Sequence, residues 1–368
     1  MTSWRYLADD GVTASFGLAA DEALAARQTA GASPPTVRLY TYRSHCALVG
    51  RFQRVASEVR LDACRARGIA VNRRPTGGGA ILMGGDQLGV AIAVPGSGRD
   101  RSWDRVRELF LRFAAGLVDA LARLGIAAEY RRKNDLEVGG RKIAGLGLCF
   151  DRAGGLLFHA SLLVDLDVPL MLSVLRTPFA KISDKEIATV AERVTTVRRE
   201  RGRALALDEV RDLVREGYAR TLGVRLEPGA FTDDEHAEIA RLERERYATA
   251  AWVEREPAIA DAAGSASVKT AGGLVSAHLT LAGDVIKAVY LTGDFFCDER
   301  VLPGIERALR WHAADPGRVA TTLEGLAAEG LGLPGVTPQE VAHVVDLATA
   351  AARRDEHAAA AKGCFVNP

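Results

Sequence analysis

Along the first 250 residues the spacing of apolar positions switches repeatedly between helical and strand-like periods. From 14 to 29, Leu18, Ala19, Ala23 and Leu24 recur at helical spacing around Asp21-Glu22. After the Pro34-Pro35 break, residues 36–42 (TVRLYTY) alternate as a strand, and 46–49 form a second short apolar run. Residues 57–67 have an amphipathic helical pattern with Ser57 in an N-cap position. Residues 69–71 predict a strand that enters Arg73-Arg74-Pro75-Thr76-Gly77-Gly78-Gly79-Ala80, and 88–94 a strand that leaves it. The longest helical pattern in this half covers 103–124. Leu136-Glu137-Val138 and residues 142–145 flank a Gly139-Gly140 hairpin turn. Residues 156–164 are again strand-like, and 207–222 and 232–247 helical. Short strands mixed with helices, without regular βαβ alternation, predict an α+β (mixed α/β) domain.

The pattern changes after Glu256-Pro257, where small residues run from 258 to 265. Beyond them, 268–281 and 285–291 read as a two-stranded pair around Ala282-Gly283-Asp284. Helical stretches follow at 301–311, 319–329 and 338–351. The organisation expected is a catalytic-sized domain over 1–250, a linker over 251–265, a small α+β domain over 266–352 and a tail over 353–368.

Composition narrows the function classes. The 368 residues carry 48% hydrophobic and 26% charged positions, a chain long enough for two cores. Net charge is +1, and Arg131-Arg132-Lys133 and the arginines of 198–203 are interleaved with acidic or apolar residues, so nucleic acid is not an expected partner. Asp9 and Asp10 follow a non-apolar start, and no apolar run approaches the ~20 residues of a membrane helix, so a cytoplasmic protein without a signal peptide is expected. The five cysteines (Cys46, Cys64, Cys149, Cys297, Cys364) are scattered and suit neither a zinc site nor a disulfide framework. A monomer is expected.

Three segments could carry chemistry. Consecutive glycines at 77–79 weaken both flanking strands, a cost accepted where backbone amides approach an anionic ligand; a bulged hairpin accounts for them equally well. The segment lacks a following Gly-Lys-Ser/Thr and is not a Walker loop. Asn134-Asp135, with an amide and a carboxylate, precedes Gly140-Arg141-Lys142-Ile143-Ala144-Gly145. Arg141 and Lys142 point to opposite faces of a strand, leaving Lys142 as a point charge for a phosphate or as an exposed hairpin lysine. His159, on an apolar strand, is a wall residue or a catalyst.

The order of these strings resembles one family. Leu48-Val49-Gly50-Arg51-Phe52-Gln53, the triple-glycine string, Asn134-Asp135, the Gly-Arg-Lys-Ile-Ala-Gly string, His159 before Leu162-Leu163-Val164-Asp165, and Arg193-Val194-Thr195 together resemble the lipoate-protein ligase and octanoyltransferase family. Its fold is shared with biotin-protein ligases, and the match runs from about Leu18 to Thr196. The segment from Val268 to Gly293-Asp294-Phe295-Phe296 resembles the accessory domain of lipoate ligases.

The resemblance implies ATP-dependent activation of lipoate, or octanoate, to acyl-AMP. Transfer then goes to a lysine of a lipoyl domain of a 2-oxoacid dehydrogenase E2 subunit, or of the glycine-cleavage H protein. Lys142 would be the catalytic cation. Arg74, Thr76, Gly77, Gly78, Gly79, Ala80 and Gly145 would line the acyl-adenylate, with His159 on the pocket wall. Asn134 and Asp135 would lie at the nucleotide end, Asp135 near Mg²⁺ or ribose. The chain departs from the family at Met83-Gly84, where ligases often carry His-Asp, and at Gln87, often an asparagine. The competing reading is an octanoyltransferase, which needs a reactive cysteine; none stands at Arg131 to Asn134 or near Thr177-Pro178, the places that resemblance assigns. A biotin ligase would carry a different glycine loop, and a degenerate member would bind lipoyl proteins without turnover.

Overall fold

The computed structural model describes residues 2–29, 31–96, 103–131, 134–151, 154–176, 192–254 and 263–362. Arg132-Lys133, Thr177-Pro178, most of the expected linker and Cys364 lie outside them. The chain divides into two compact units, residues 1–51 with 55–255, and residues 52–54 with 256–368.

The first unit opens with β1 (Thr2–Val12), α1 (Ala14–Ala26), β2 (Thr36–Tyr42), β3 (Cys46–Val49), α2 (Val55–Glu58) and α3 (Leu61–Ala66). It continues through β4 (Ala70–Arg73), β5 (Ile81–Met83), β6 (Gln87–Pro95), α4 (Trp103–Arg123), β7 (Glu129–Arg131), β8 (Asp135–Val138), β9 (Arg141–Phe150) and β10 (Gly155–Leu163). Next come α5 (Val168–Val174), α6 (Val197–Arg201), α7 (Leu207–Leu222), β11 (Val224–Pro228), α8 (Asp233–Leu242) and α9 (Ala250–Val253). Eight strands form one mixed sheet in the order β11-β1-β2-β6-β10-β9-β8-β7, and β4-β3-β5 form a smaller one. In the large sheet β1 runs parallel to β11 and β2, whereas the remaining neighbours are antiparallel.

Alternation along β10 separates the two faces of that sheet. Phe158 packs against Phe113 and Phe110 of α4, at ring centroids 5.4 and 6.4 Å apart. Leu157 points the other way, into a cluster with Leu18, Ala23 and Leu24 of α1 and with Ala91 and Ala93 of β6. Thr13 caps α1 by accepting from the Phe16 amide, which fixes where the helix leaves β1.

In the first unit two local expectations are corrected and one element is added. Residues 57–67 are not one helix. Val59 makes a β-bridge with Leu175, so the chain is extended between α2 and α3, and Ser57 lies within α2 rather than capping a helix. Beyond α8, residues Glu243–Tyr247 form a π-turn, so 232–247 bends; the Thr232–Glu235 capping box sets its start. Residues 2–12, without an expected element, are a full strand.

The second unit holds the antiparallel sheet β12 (Gly264–Thr270), β13 (Gly273–Ala282), β14 (Val285–Gly293) and β15 (His312–Ala313). The stretch 268–281 is thus split into two strands by a tight turn in which Gly273 adopts φ +134°. Helices α10 (Val301–Leu309), α11 (Pro316–Ala328) and α12 (Pro338–Lys362) complete it around Val275, Ala277, Leu279, Ile286 and Phe295. Phe52 belongs to this unit and stacks on Phe295 at 5.3 Å. Among the described residues no helix is long and apolar enough to cross a membrane.

Candidate active site

The site begins at a β-bulge. Gly139 and Gly140 both adopt positive φ (54° and 78°), closing a tight hairpin between β8 and β9. Past the turn the register is Val138↔Arg141 and Glu137↔Lys142, then Leu136↔Ala144 and Asp135↔Gly145. Ile143 is therefore an extra residue without a partner on β8. Cross-strand partners share a face, so the bulge puts Lys142 on the face of Asp135 and Gly145. Unbroken alternation would place Lys142 and Gly145 on opposite faces. The Lys142 ammonium meets Asp135 Oδ1 at 2.6 Å, and Arg141 diverges to Glu200 at 2.9 Å. The backbone of Lys142 is held from the other side, donating to the Arg193 carbonyl and accepting from the Thr195 amide.

Gly145 lacks a side chain for a reason that the geometry makes plain. A Cβ there would stand 3.1 Å from Lys142 Nζ and 3.3 Å from Ser161 Oγ. Asn134 clasps the start of this hairpin to β9: its amide donates to the Leu146 carbonyl at 2.9 Å, and its carbonyl accepts from the Leu146 amide at 2.8 Å.

The glycine segment is braced rather than loose. Gly78 adopts φ +93°, and its carbonyl occupies the space a Cβ on Gly50 would need, at 1.9 Å. Arg74 donates to the carbonyls of Leu48 (2.6 Å), Gly79 (2.7 Å) and Gly77 (3.4 Å). Burial pulls its guanidinium down to about 10. Arg73, beside it, turns away to the carbonyls of Gly50, Arg51, Trp252 and Val253. The two adjacent arginines thus stabilise the two sides of one turn, and only Arg74 faces the cavity. Among the described residues no carboxylate pairs with Arg74, so the cavity wall holds a buried positive charge satisfied only by carbonyl dipoles. The buried Thr76 hydroxyl has no hydrogen-bond partner among the described residues.

Behind the cavity lies a buried polar network. Asp21 of α1 is fully buried and accepts from Arg38 Nη1 at 2.7 Å and from the Tyr40 hydroxyl at 3.1 Å. His159 Nε2 lies 2.7 Å from its second oxygen. Burial pushes the Asp21 carboxyl up, but Arg38 and His159 more than offset it, so it stays below the usual carboxylate range. Arg38 also reaches Asp9 at 2.5 Å.

One cavity of about 610 Å³, its mouth included, joins these parts. Arg74, Thr76, Gly77, Gly78, Gly79, Ala80, Asn134, Lys142, Gly145 and His159 all line it, and Asp135 stands one contact behind, on Lys142. Leu18, Tyr40, Tyr42, Leu48, Ile81 and Met83 add an apolar and aromatic wall, and Ser161 a hydroxyl. Sequence reasoning passed over Tyr40, Tyr42 and Ser161. A usable signal was Gly89, whose missing side chain makes room for the Tyr40 ring at 2.5 Å from where its Cβ would be.

Among the described residues no group of three or more His, Cys, Asp or Glu side chains could hold a metal ion. Asp135 offers one carboxylate, already paired with Lys142. Among the described residues no cysteine lines the cavity. Burial pushes the Cys46 thiol well above its ordinary range, and Cys149 lies further along β9, opposite Leu157.

Comparisons with known proteins fit this geometry. The family model of the lipoyl protein ligase A/B catalytic domain matches residues 13–219. The octanoyltransferase LipM of Symbiobacterium thermophilum is 32% identical over 278 residues, covering 68% of this chain and 98% of that protein. LipM of Brevibacillus brevis is 30% identical over 275 residues, covering 68% and 99%. Among solved structures, a bi-partite lipoate protein ligase from Thermoplasma acidophilum, described with its E2 lipoyl domain, superposes with TM-score 0.62. It is 27% identical and covers 69% of this chain and 97% of its own. A lipoate-protein ligase A bound with ATP gives TM-score 0.60 at 26% identity, covering 69% and 99%. With the matched domain spanning the glycine loop, the β8–β9 hairpin and His159, this chain belongs to the lipoate ligase and octanoyltransferase family, as an enzyme of the biotin/lipoate-ligase-like fold.

Proposed function

We propose that the enzyme is a lipoate-protein ligase, activating lipoate or octanoate with ATP and transferring the acyl group to a lysine of a lipoyl domain or of the glycine-cleavage H protein. The observation that carries this reading is the charge pattern of the cavity. The Lys142 ammonium, paired with Asp135, and the Arg74 guanidinium, which has no carboxylate partner among the described residues, face a pocket that presents no thiol among its described lining residues. An acyl-enzyme route needs a nucleophilic side chain there, and an acyl-adenylate route needs only anion-binding groups.

In this mechanism ATP and the acid are both substrates. The acid's carboxylate displaces pyrophosphate from the α-phosphate, forming the acyl phosphate bond of acyl-AMP. Lys142 exchanges Asp135 for the oxygens on which charge gathers, and the backbone amides of Gly77–Gly79 and the Arg74 charge lie along the same wall. The acceptor's neutral lysine amine then attacks the acyl carbon, AMP leaves with the bonding pair, and the amine's proton passes to solvent. Mg²⁺ entering with ATP would neutralise phosphate charge, with Asp135 as its protein ligand. The apolar wall of Leu18, Leu48, Ile81 and Met83, with Tyr40 and Tyr42, suits the hydrocarbon part of the acid.

The name of the LipM relatives supports a second reading, octanoyl transfer from acyl carrier protein, with Cys149 the thiol nearest in sequence to Lys142. One experiment separates the two. Apo lipoyl domain is weighed by mass spectrometry after incubation with lipoate, ATP and Mg²⁺, or with octanoyl-acyl carrier protein and no ATP. ATP-dependent lipoyl gain supports the ligase. Gain only from the carrier protein, abolished by Cys149→Ser, replaces it by the transferase.

A further inference from the structure

We infer that the Ser161 hydroxyl is a second donor to the acyl oxygen, acting with the Lys142 ammonium across Gly145; this rests on the acyl-transfer reading of the cavity. Ser161 stands on β10 in a cross-strand row with Gly145 of β9 on one side and Gly89 of β6 on the other, Tyr40 following on β2. Directly opposed residues share a face, so these four point into the same side of the sheet. The two glycines leave gaps on either side of the serine, and their surroundings differ. The Tyr40 ring occupies the one over Gly89, and the Lys142 side chain end borders the one over Gly145.

Gly145 thereby keeps open a space bordered by two donors, Lys142 Nζ and Ser161 Oγ, at 3.1 and 3.3 Å from where a Cβ would begin. An oxygen atom lying above that point is within hydrogen-bonding reach of both. Ser161 is only 9% exposed and lines the cavity, so its hydroxyl is presented to whatever occupies it. In either half-reaction the oxygen that fits is an acyl oxygen. It is a carboxylate oxygen during activation, and the carbonyl oxygen that becomes anionic when the acceptor amine attacks. The hydroxyl donates its hydrogen bond and keeps its proton; no bond to Ser161 forms.

The test uses the full-length protein with Ser161→Ala and Ser161→Thr. Single-turnover transfer from pre-formed lipoyl-AMP to apo lipoyl domain is followed together with calorimetric binding of a non-hydrolysable acyl-adenylate analogue. Ser161→Ala is expected to lower the transfer rate on the order of 100-fold with little change in the KM for acceptor, and to weaken analogue binding. Ser161→Thr, which keeps the hydroxyl, is expected to recover most of both. Transfer and binding of Ser161→Ala within about threefold of the wild type would overturn the inference, as would a threonine variant no better than alanine. Should the wild type transfer only from octanoyl-acyl carrier protein, the ligase reading fails and the same variants are read in that reaction, whose acyl oxygen needs the same donors.

Discussion

Two charged assemblies border the cavity, and they are built to opposite ends. The Asp21–Arg38–His159 network joins side chains that are 0–9% exposed, with Arg38 and His159 each 2.7 Å from an Asp21 oxygen. Lys142 and Asp135 also meet, at 2.6 Å, but are 33% and 23% exposed at the mouth of the hairpin. Buried charges that lie against one another resist separation, because removing one leaves its partner stranded in a low-dielectric interior. A pair reached by water holds less tightly and can be exchanged for a substrate oxygen. The first assembly therefore fixes the shape of the cavity, and the second is available for chemistry.

This contrast can be broken most sharply at its buried end. Asp21→Ala should destabilise the first unit by about 3–5 kcal/mol, seen as a lower denaturant midpoint, because Arg38 and His159 both lose their shared acceptor. A loss under 1 kcal/mol would show that the network is not what holds α1 to the sheet. Lys142→Ala should leave thermal stability nearly unchanged and lower acyl transfer by roughly 10²–10³-fold. An equal loss of stability would erase the distinction between the two assemblies.

A second buried carboxylate sharpens the point through pH. Burial raises Glu235, but hydrogen bonds from Arg5, Ser33 and the Thr232 amide overcome it and hold the carboxyl at about 2, below its ordinary 4.5. A carboxylate depressed in the folded state stabilises it above the unfolded value and loses that contribution as pH falls. Glu235→Gln should thus cost roughly 1.5–3 kcal/mol at neutral pH. Its midpoint should approach that of the wild type between pH 4.5 and about 2. A gap that stays constant over that window would exclude the charge as the cause. The smallest effect is expected for Asp135→Asn, under about 1 kcal/mol in stability. Whether it also raises the KM for ATP separates a mere partner of Lys142 from a contact of the nucleotide's cation.

Much of the candidate site was legible because its residues have few other reasons to be where they are. Three adjacent glycines, a lysine after a Gly-Gly turn and an asparagine-aspartate pair sit at positions where propensity alone disfavours them or is indifferent to them. Arg73 and Arg74 were not separable in the sequence: adjacent and identical, they differ only in which side of the turn each side chain reaches. Tyr40 and Tyr42 read simply as strand residues, since nothing local distinguishes an aromatic that walls a cavity from one that fills a core.

The sequence by itself determined the α+β class, most of the elements of the first unit and the polar and glycine residues on one side of its cavity, because period and turn chemistry are local properties. It did not determine that residues 2–12 form a strand, since that strand is held by parallel pairing to β2 and β11, far away along the chain. Nor did it determine the break at Val59, which depends on Leu175. The decisive case is Lys142. Alternation would place it opposite Gly145, and only the pairing with β8, one residue short against Ile143, turns the ammonium to the face where Asp135, Gly145 and Ser161 meet. A bulge is a count of residues on two strands at once, and so it exists only once the strands have paired.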